Sequence, residues 1–412
     1  MENIIDKGCG LDVHKQSVVA CIMGKGTEKE IRTFGTYTRE LQELKEWLKS
    51  NRITHVAMES TGVYWKPILN ILEDDFEIVL VNARHIKNVP GRKTDVSDSE
   101  WICKLLRAGL LKGSFIPPRD IRELRDLTRY EQKLMQSISS EKNRIQKILE
   151  DANIKLSSVV SNMFGVTATK IVEELLKGEL TPEELCQFTK GRLNSKKEEI
   201  IKAVEGKLTN HHKVMIEASL EHIKAMERII DTIDVQIQEL LKNHKQEYEL
   251  LQTIPGVKAK AAACIIAEIG TNMEQFPSVN HLCSWAGIAP GNNESAGKKK
   301  SGKITKGSKA LKSILVQSAW AASRTKDTYL SAKYKSLVGR RGRKRALIAV
   351  GHKILQISYF IIKDKQPYKE LGGNYLELRK EQTIVKGLTK RLQKLGYEVN
   401  LQKPKEEERS VA

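Results

Sequence analysis

The first 111 residues alternate between strand-like and helix-like segments in an order that few folds accept. Short apolar runs bounded by polar residues or glycine predict strands, and apolar residues three or four apart predict helices. The predicted elements are, in order, a β-hairpin over residues 7–23, a strand over 30–34, a helix over 39–50, a strand over 53–59, a helix over 65–73, a strand over 76–81 and a helix ending near residue 111. Strands followed by alternating helices and strands predict an α/β domain.

Four acidic residues fall on three of these elements. The order of elements is typical of a ribonuclease-H-like fold, in which Asp12 lies in the first strand and Glu59 ends the fourth. Asp95 and Asp98 lie three apart in the first turn of the last helix, a spacing that puts both on one helical face. An acid in an apolar strand is costly unless it is paired or bound to metal. The four therefore predict a phosphoryl-transfer site for two Mg²⁺ ions, or Mn²⁺; the alternative is that they only cap helices and start a turn.

The charge of the chain favours a polyanionic partner. The 412 residues carry a formal net charge of +19 and a pI of about 9.5, which points to nucleic acid. No apolar run is recognised as a membrane span and the first residues do not resemble a signal peptide, so we expect a cytoplasmic, nucleoid-associated protein without a membrane partner. The six cysteines show no CxxC or Cys/His ligand spacing, which predicts reduced core residues. They are Cys9, Cys21, Cys103, Cys186, Cys264 and Cys283.

After Pro117-Pro118 the pattern changes to seven-residue repeats. One register comprises Leu124, Leu127, Leu134, Ile138, Ile145 and Ile148, interrupted by Glu131 and Glu141. The other comprises Ile216, Ile223, Met226, Ile230, Ile233, Ile237 and Leu240, interrupted by Ser219. Both predict long, coiled-coil-like helices that pair with each other or with another subunit, although an ordinary helical bundle fits the pattern equally well.

Four regions are predicted from these changes in pattern. They are an α/β domain over 1–117 that holds the four candidate acids, a helical region over 118–250 with a polar insert over 153–212, a mainly helical domain over 251–365, and an extension over 366–412 that is partly disordered from Lys403. The predicted fold class is therefore α/β plus α.

The second half of the chain contains three segments whose residues are typical of phosphate-binding sites. Pro255-Gly256 resembles a helix-hairpin-helix turn, or else simply starts a helix. The loop over 287–308 is predicted to be flexible and cationic, and it contains Ser295 and Ser301; the alternative is a solvated loop without chemistry. A basic run over 339–345 is predicted to bind phosphate. The predicted nucleic-acid-binding residues are Lys298, Lys299, Lys300, Lys303, Lys306, Arg340, Arg341, Arg343, Lys344 and Arg345.

Taken in order, these segments resemble the DEDD-type insertion-sequence transposases, in which a RuvC-like domain is joined to a serine-bearing transposase domain. The motifs at the front are Gly10-Leu11-Asp12-Val13-His14-Lys15, Met58-Glu59-Ser60-Thr61-Gly62 and Lys93-Thr94-Asp95-Val96-Ser97-Asp98. The motifs at the back are Ile254-Pro255-Gly256, Trp285-Ala286-Gly287-Ile288-Ala289-Pro290 and the segment from Ser295-Ala296-Gly297 to Ile304-Thr305-Lys306-Gly307. The insert over 153–212 and the tail do not contribute to the resemblance.

The resemblance implies a set of functional roles. The metal-binding acids would be Asp12, Glu59, Asp95 and Asp98, and the nucleophile that attacks a DNA phosphate would be Ser295, with Ser301 as the substitute. The two sets would form a composite centre between subunits of a homodimer or homotetramer held by the long helices. The partners would be element and target DNA and a non-coding guide RNA, whose base pairing would select the sequence.

The chemistry expected is transposition through a covalent phosphoserine that a DNA hydroxyl later resolves. A serine hydroxyl needs a base or a metal to become a good nucleophile, and Lys298 to Lys300 would neutralise charge near the phosphate. The alternatives are a RuvC-like junction-resolving nuclease that uses water, a site-specific DNA invertase with the same residues, and a non-catalytic nucleic-acid scaffold.

Overall fold

The computed structural model of the chain describes residues 4–60, 62–83, 86, 97–291, 293–295, 297–301 and 303–401. For residues 27, 192, 293–295, 298–301, 380 and 384 it describes the backbone alone. The chain divides into two compact units, residues 1–117 and 118–412. The finer division of the second unit stays a prediction.

The first unit is built on a five-stranded mixed sheet. Its strands are β1 (Lys7–Val13), β2 (Ser17–Gly24), β3 (Thr27–Gly35), β4 (His55–Glu59) and β5 (Glu77–Val81). Their order is β3-β2-β1-β4-β5; β1, β2 and β3 are antiparallel neighbours, whereas β4 is parallel to β1 and β5 to β4. The five predicted strands are all present, and the sheet is consistent with the predicted ribonuclease-H-like fold.

Helices cover both faces of this sheet. Helix α1 (Thr38–Ser50) and helix α2 (Trp65–Leu72) pack on one face, and α3 (Asp98–Arg107) packs on the other. Helix α1 forms where the sequence predicts it because Leu41, Leu44, Trp47 and Leu48 recur at helical spacing and are all buried against the sheet. The result is a three-layer α/β/α unit with two cores, one on each side of the sheet.

Two glycines allow α3 to lie directly on strand β1. A Cβ atom at Gly10 would stand 2.2 Å from the carbonyl oxygen of Ser99 and 2.4 Å from the nitrogen of Cys103, so no larger residue fits without moving α3. At Gly8 the nearest side-chain atom, from Leu106, would be 3.0 Å away. Because side chains alternate along a strand, Gly8, Gly10 and Asp12 share the face of β1 that meets α3.

Helix α3 begins later than the sequence predicts. Its N-cap is Ser97, whose hydroxyl accepts a hydrogen bond from the backbone N–H of Glu100, so neither Thr94 nor Asp95 is the cap. Asp98 is the first helical residue. Asp95 lies outside the described residues, and the shared helical face of Asp95 and Asp98 stays a prediction.

The second unit is helical apart from one short hairpin. Its helices of the first half are α4 (Arg119–Asp151), α5 (Leu156–Val159), α6 (Val166–Lys177), α7 (Pro182–Leu185), α8 (Lys197–Val204) and α9 (Asn210–Leu241). Those of the second half are α10 (Lys245–Leu251), α11 (Ala259–Ile269), α12 (Val279–Trp285), α13 (Lys309–Ala322), α14 (Tyr329–Arg341), α15 (Arg343–Asp364) and α16 (Tyr375–Lys394). Strands β6 (Asn293–Ser295) and β7 (Lys298–Ser301) form the hairpin.

The two long helices α4 and α9 pack along each other within one chain. The register predicted for α4 is wrong in part: Thr128 is buried where Leu127 was predicted, and Leu149 where Ile148 was predicted. Glu131 and Glu141, predicted as interruptions, are buried in the seam itself. The insert over 153–212 contains α5 to α8 and returns the chain from α4 to α9.

Basic side chains lie beside both buried glutamates of α4. The carboxylate of Glu131 pairs with the ammonium group of Lys260 from α11. That of Glu141 lies 3.2 Å from His222 of α9 and 3.3 Å from Arg144. An acid can therefore occupy a seam position because neighbouring cations replace the water that it loses. Sequence periodicity alone does not show those partners.

Helix α15 corrects the prediction that no run is long enough to span a membrane. By length and composition it is the one described helix that could do so, and half of the apolar window is buried within the unit. It packs against α13 and α14 and buries Val350, Ile354, Leu355 and Ile362. A core helix passes the same test, so the apolar run has an explanation within the fold.

All six cysteines are buried and unpaired, as predicted. Cys9 and Cys21 lie in neighbouring strands and Cys103 in the helix above them. Burial raises the pKa of the Cys9 thiol well above its ordinary value, which keeps it protonated. The cysteines therefore serve as small core residues rather than as ligands.

Replacing Gly10 with valine should separate α3 from the sheet. The added side chain collides with backbone atoms of α3, and overpacking of this kind costs about 3 kcal/mol. Urea unfolding followed by circular dichroism measures the loss. Gly339→Ala is the control, because this exposed helical glycine has no atom within 4 Å of the added Cβ; equal unfolding midpoints for the two variants would contradict the docking of α3 on Gly10.

Candidate functional site

Asp12 and Glu59 lie side by side at one end of the sheet. Strand β1 pairs in parallel with β4, and Leu11 is the partner of Met58. Asp12 and Glu59 are the next residues along the two strands, so both point to the face opposite Leu11 and Met58. That face carries α3, because Ala57 packs in the core with Trp101 and Leu105. Both acids are partly exposed.

Asp98 brings a third carboxylate to the same place. Burial raises the pKa of Asp12 above its usual value, and the negative charges of Asp98 and Glu59 raise it further, while His14 opposes the shift. Asp98 and Glu59 are thus both close enough to act on Asp12. Since Ser99 rests on Gly10, two residues before Asp12, the docking of α3 is what brings Asp98 near.

A histidine, His14, lies against Asp12 at this end of the sheet. Its Nε2 atom lies 3.2 Å from the Oδ2 atom of Asp12, and its side chain is exposed. Sequence reasoning assigned no role to His14, although its position two residues after Asp12 places both on one side of the extended chain. The contact partly neutralises Asp12.

The carboxylate oxygens of Asp12, Glu59 and Asp98 suit a hard cation such as Mg²⁺, but the described residues do not form a complete metal site. Carboxylate oxygens are the ligands that Mg²⁺ prefers, and repulsion among acids is relieved by a bound cation. Within the described ranges, no group of three or more His, Cys, Asp or Glu side chains is arranged to hold a metal ion. Asp95, the fourth predicted ligand, lies outside those ranges.

The serine-bearing segment is a β-hairpin, and the prediction of a flexible loop is wrong for its backbone. Ser295 of β6 pairs with Lys298 of β7, next to a turn in which Gly297 has a φ of 72°. Only glycine adopts that left-handed conformation without strain. The predicted nucleophile therefore sits beside the tip of a two-stranded arm.

Backbone contacts close the base of this hairpin. The N–H of Gly291 donates to the carbonyl of Lys303 at 3.0 Å. A Cβ atom at Gly287 would stand 2.7 Å from the nitrogen of Gly307, and one at Gly307 would stand 2.3 Å from the carbonyl oxygen of Ala286. Gly287 and Gly307 must be glycine because two backbone segments are in direct contact here and leave no room for a side chain.

A buried carboxylate ties the hairpin's end to the helices behind it. Glu268 of α11 has a side chain that is 2% exposed. It accepts two hydrogen bonds from Arg129 of α4, at 2.6 and 2.9 Å, and one from the hydroxyl of Ser308 at 2.9 Å. Ser308 in turn caps α13 by accepting from the N–H of Leu311. The paired carboxylate raises the pKa of Arg129, which fixes its charge.

Arg125 completes the junction between α4 and α11. Its guanidinium donates to the carbonyl oxygens of Ala267 and Glu268 at 2.9 and 2.8 Å, near the carboxyl end of α11. Burial lowers its pKa to about 10, so the group stays charged at neutral pH. The two arginines of α4 thus hold the helix that carries Glu268.

The predicted nucleic-acid-binding cations fall into two groups. Lys303 and Lys306 are exposed beside the hairpin, and the side chains of Lys298 to Lys300 lie outside the described atoms. The other five, Arg340, Arg341, Arg343, Lys344 and Arg345, are all exposed around the junction of α14 and α15. None of these five is ion-paired with a described acid, and Gly342, with a φ of 77°, turns the chain between the helices.

Comparison with known proteins matches both halves of the chain to one family. Residues 9–154 match the family model of DEDD-type IS110 transposases, and residues 248–335 match that of transposases of the IS116/IS110/IS902 family. The chain belongs to the IS110 family of transposases. It is a DNA transposase or recombinase, as the sequence resemblance implied.

Two kinds of relative are similar over most of the chain. The pilin gene-inverting protein of Moraxella bovis is 24% identical over 378 residues, which cover 87% of this chain and 96% of the relative. The transposase for insertion sequence element IS1111A of Coxiella burnetii is 22% identical over 343 residues, covering 81% of this chain and 85% of the relative.

Sequence reasoning on this IS110-family chain did not predict the hydrogen bonds that join Glu268 to Arg129 and Ser308, next to the Ser295 hairpin. Ser308 was expected to cap the following helix, and it does. Nothing in the sequence pairs it with Glu268, which stands 40 residues earlier in a run of apolar residues. The one available signal was the acid itself, because a carboxylate within a buried helix needs a partner.

Ser308→Ala should destabilise this transposase more than a simple cap loss. The change removes a helix cap, worth about 1 kcal/mol, and a hydrogen bond to a buried carboxylate, worth about 2 kcal/mol. Ser278→Ala is the matched control, since Ser278 caps α12 without a buried carboxylate among its described partners. Urea unfolding compares them, and equal losses would show that the bond to Glu268 contributes nothing.

Proposed function

We propose that this transposase cleaves and exchanges DNA strands with the acids of its first unit and a serine of its second. The observation that carries the proposal is the grouping of Asp12, Glu59 and Asp98 at one end of the sheet, set by the pairing of β1 with β4 and by the docking of α3 on Gly10. The charges of Asp98 and Glu59 raise the pKa of Asp12. Such repulsion is costly for stability alone, and perturbed acids in one cluster are typical of functional sites.

Asp12, Glu59, Asp95 and Asp98 would hold Mg²⁺, or Mn²⁺. A bound divalent ion supplies positive charge that polarises the scissile phosphate. The contact with His14 lowers the pKa of Asp12 and so favours its charged form. The acids alone would repel DNA, so their grouping is useful only together with a cation.

Ser295 is the proposed nucleophile. Its Oγ atom would attack phosphorus and lose its proton, while the phosphorus–oxygen bond to one DNA strand breaks and that strand's oxygen takes a proton. The covalent phosphoserine keeps the phosphodiester energy until a DNA hydroxyl displaces the serine. A position beside the hairpin tip lets Ser295 reach a phosphate, and Ser301 is the substitute.

The cations would hold the nucleic acids. Arg343, Lys344 and Arg345 occupy the first turn of α15, where the helix dipole disfavours positive charge, so an anionic phosphate there would be stabilising. The net charge of +19 is enough for DNA of the element and its target and for a guide RNA. We propose a homodimer or homotetramer, acting at the nucleoid, in which both catalytic sets work on one phosphodiester.

Inversion of a DNA segment is the second candidate. The relative from Moraxella bovis is named for inverting a pilin gene. Inversion and transposition use the same bond exchanges and differ in the arrangement of the DNA sites. A covalent protein–DNA adduct is therefore expected for both. A water-using nuclease would instead release cut DNA without any protein attached.

The decisive prediction is a covalent protein–DNA adduct. Purified protein with its co-purified RNA, Mg²⁺ and DNA that spans the element's joined ends should give an adduct on a denaturing gel, and EDTA added before the DNA should prevent its formation. We expect more than 100-fold loss for Ser295→Ala and for Asp12→Asn, because each removes a required group.

Matched controls accompany both changes. Ser301→Ala replaces the neighbouring serine of the hairpin, and Asp74→Asn replaces an exposed acid of the first unit; both should keep the adduct. Cleavage without an adduct would favour the nuclease. An adduct that survives in Ser295→Ala and disappears in Ser301→Ala would move the nucleophile to Ser301.

The basic junction of α14 and α15 should govern the salt dependence of binding. The triple variant Arg340→Ala, Arg343→Ala, Arg345→Ala should reduce the slope of log affinity against log salt by about 3, since each phosphate contact contributes about 0.9. Filter binding with duplex DNA at several salt concentrations measures this.

The control for that triple variant replaces three cations already paired with acids. Arg39, Lys224 and Lys242 lie against Glu43, Glu221 and Glu239, and removing them should leave the slope nearly unchanged. Equal slopes for the two triple variants would show that the α14–α15 junction does not contact the backbone.

A further inference from the structure

Helix α13 and the turn after it present a polar outer face that contains one large aromatic residue. The opposite face of α13, which includes Leu315 and Ala319, is buried where the helix packs on α11 and α15. At about 100° per residue, five exposed side chains fall within about 80° of one another on the outer side. These five residues, which we call the α13 face, are Lys309, Ser313, Gln317, Trp320 and Arg324.

Trp320 lies on the side of α13 that faces away from the core. Its side chain is 40% exposed, which makes it the most exposed of the five tryptophans of the chain. The guanidinium carbon of Arg324 stands 4.3 Å from the centroid of its ring. Nucleobases stack both on aromatic rings and on guanidinium planes, so the pair offers flat surfaces of the kind that an unpaired base binds.

The sequence around α13 contains no acid to balance its cations. Residues 295–326 include eight lysines and one arginine, and neither aspartate nor glutamate. Lys306, Lys309 and Lys326 are exposed, and no ion pair joins any of them to an acid of the described chain. A phosphate backbone is the complement of such a segment. Ser313 and Gln317 add uncharged groups that hydrogen-bond to phosphate or sugar.

The α13 face begins close to the end of the serine hairpin. Strand β7 ends at Ser301, and Ser308 caps α13 directly before Lys309. From Lys309 to Trp320 the helix rises about 16 Å, at 1.5 Å per residue. A nucleic-acid strand bound at the hairpin therefore has a cationic path along one helix face, and that path leads to the stacking surfaces of Trp320 and Arg324.

We propose that Trp320 and Arg324 stack an unpaired base of the DNA strand that reaches the serine hairpin. The inference rests on the proposed function, because strands that are exchanged must leave their duplex between cleavage and rejoining. The bases of a duplex are already stacked on one another, so an exposed tryptophan selects an unpaired strand. Stacking of this kind tolerates any base, so the α13 face holds the strand without reading its sequence.

Binding of a fluorescein-labelled strand of twelve thymidines to the full-length protein tests the inference. The protein is first freed of nucleic acid and is kept in EDTA, so that no cleavage occurs. Trp320→Ala should weaken binding at least about fivefold, the effect of one lost base stack, and Trp320→Tyr should keep most of the affinity. Phe360→Ala is the matched control and should bind as the unchanged protein does, because Phe360 is an aromatic of the same unit, 49% exposed, with no described cation over its ring.

Two further readouts separate stacking from a loss of charge or of folding. Trp320→Ala should leave the slope of log affinity against log salt unchanged, because it removes no phosphate contact. Binding of the thymidine strand should quench the tryptophan fluorescence of the unchanged protein, and Trp320→Phe should abolish that quenching, because the other four tryptophans are less exposed. Circular dichroism checks that each variant is folded.

Equal affinities of Trp320→Ala and Phe360→Ala for the thymidine strand would overturn the inference. A loss of the same size with duplex DNA would also overturn it, because a paired base has no free face for Trp320. A loss confined to a strand of twelve uridines would make RNA the occupant instead of DNA. The binding assays contain no Mg²⁺, so their result is independent of the covalent adduct: an adduct without binding that depends on Trp320 refutes this inference alone, and such binding without an adduct refutes the serine chemistry alone.

Discussion

The contact of helix α3 with the bare backbone of β1 is the constraint on which the acidic site depends. Strand β1 presents glycine at positions 8 and 10 and aspartate at 12 to the same face, so the helix approaches closely along the first two positions and stops short of the third. Dispersion forces at this short distance hold α3 firmly. Asp98, in the first turn of the helix, is carried to the acid of the strand, and the repulsion between them is a cost that the packing overcomes.

In the second unit, charged hydrogen bonds stabilise the segment next to the serine hairpin. Its serine hairpin has few residues and no core, and a two-stranded ribbon of that size is marginal by itself. Crossing glycines close its base, and Glu268 bonds the cap of the helix that follows. A buried carboxylate is tolerated there because the fork of Arg129 and the hydroxyl of Ser308 replace its water. The same logic keeps Glu131 and Glu141 in the seam between the long helices.

The cations of the chain fall into two groups, those paired with acids and those without an acidic partner. Many lie beside acids in ordinary ion pairs on helix surfaces, where exposed pairs contribute little. Those at the α14–α15 junction have no acidic neighbour in the described chain, and they surround a glycine that turns the backbone sharply. Unbalanced positive charge at the turn between two helices is the arrangement expected of a surface that meets phosphate.

By itself the sequence determined the elements, the family and the candidate residues. Strand and helix positions in the first unit followed from apolar spacing, because burial on a sheet face or helix stripe imposes a period that the chain must show. The acids were found because Asp12 interrupts an apolar strand, and the serine because its segment matches a family motif. Ser308 as a cap and the buried cysteines were likewise visible in local pattern.

Tertiary structure decided the features that depend on contacts between residues far apart in sequence. It placed the start of α3 at Asp98, buried two glutamates in the seam of α4, and turned the cationic loop into a hairpin. Each outcome depends on a partner far away in sequence: Gly10 under Ser99, Lys260 beside Glu131, and Lys303 opposite Gly291. Free energies of close packing and of charge pairing are properties of neighbours in space, and a linear pattern records only neighbours along the chain.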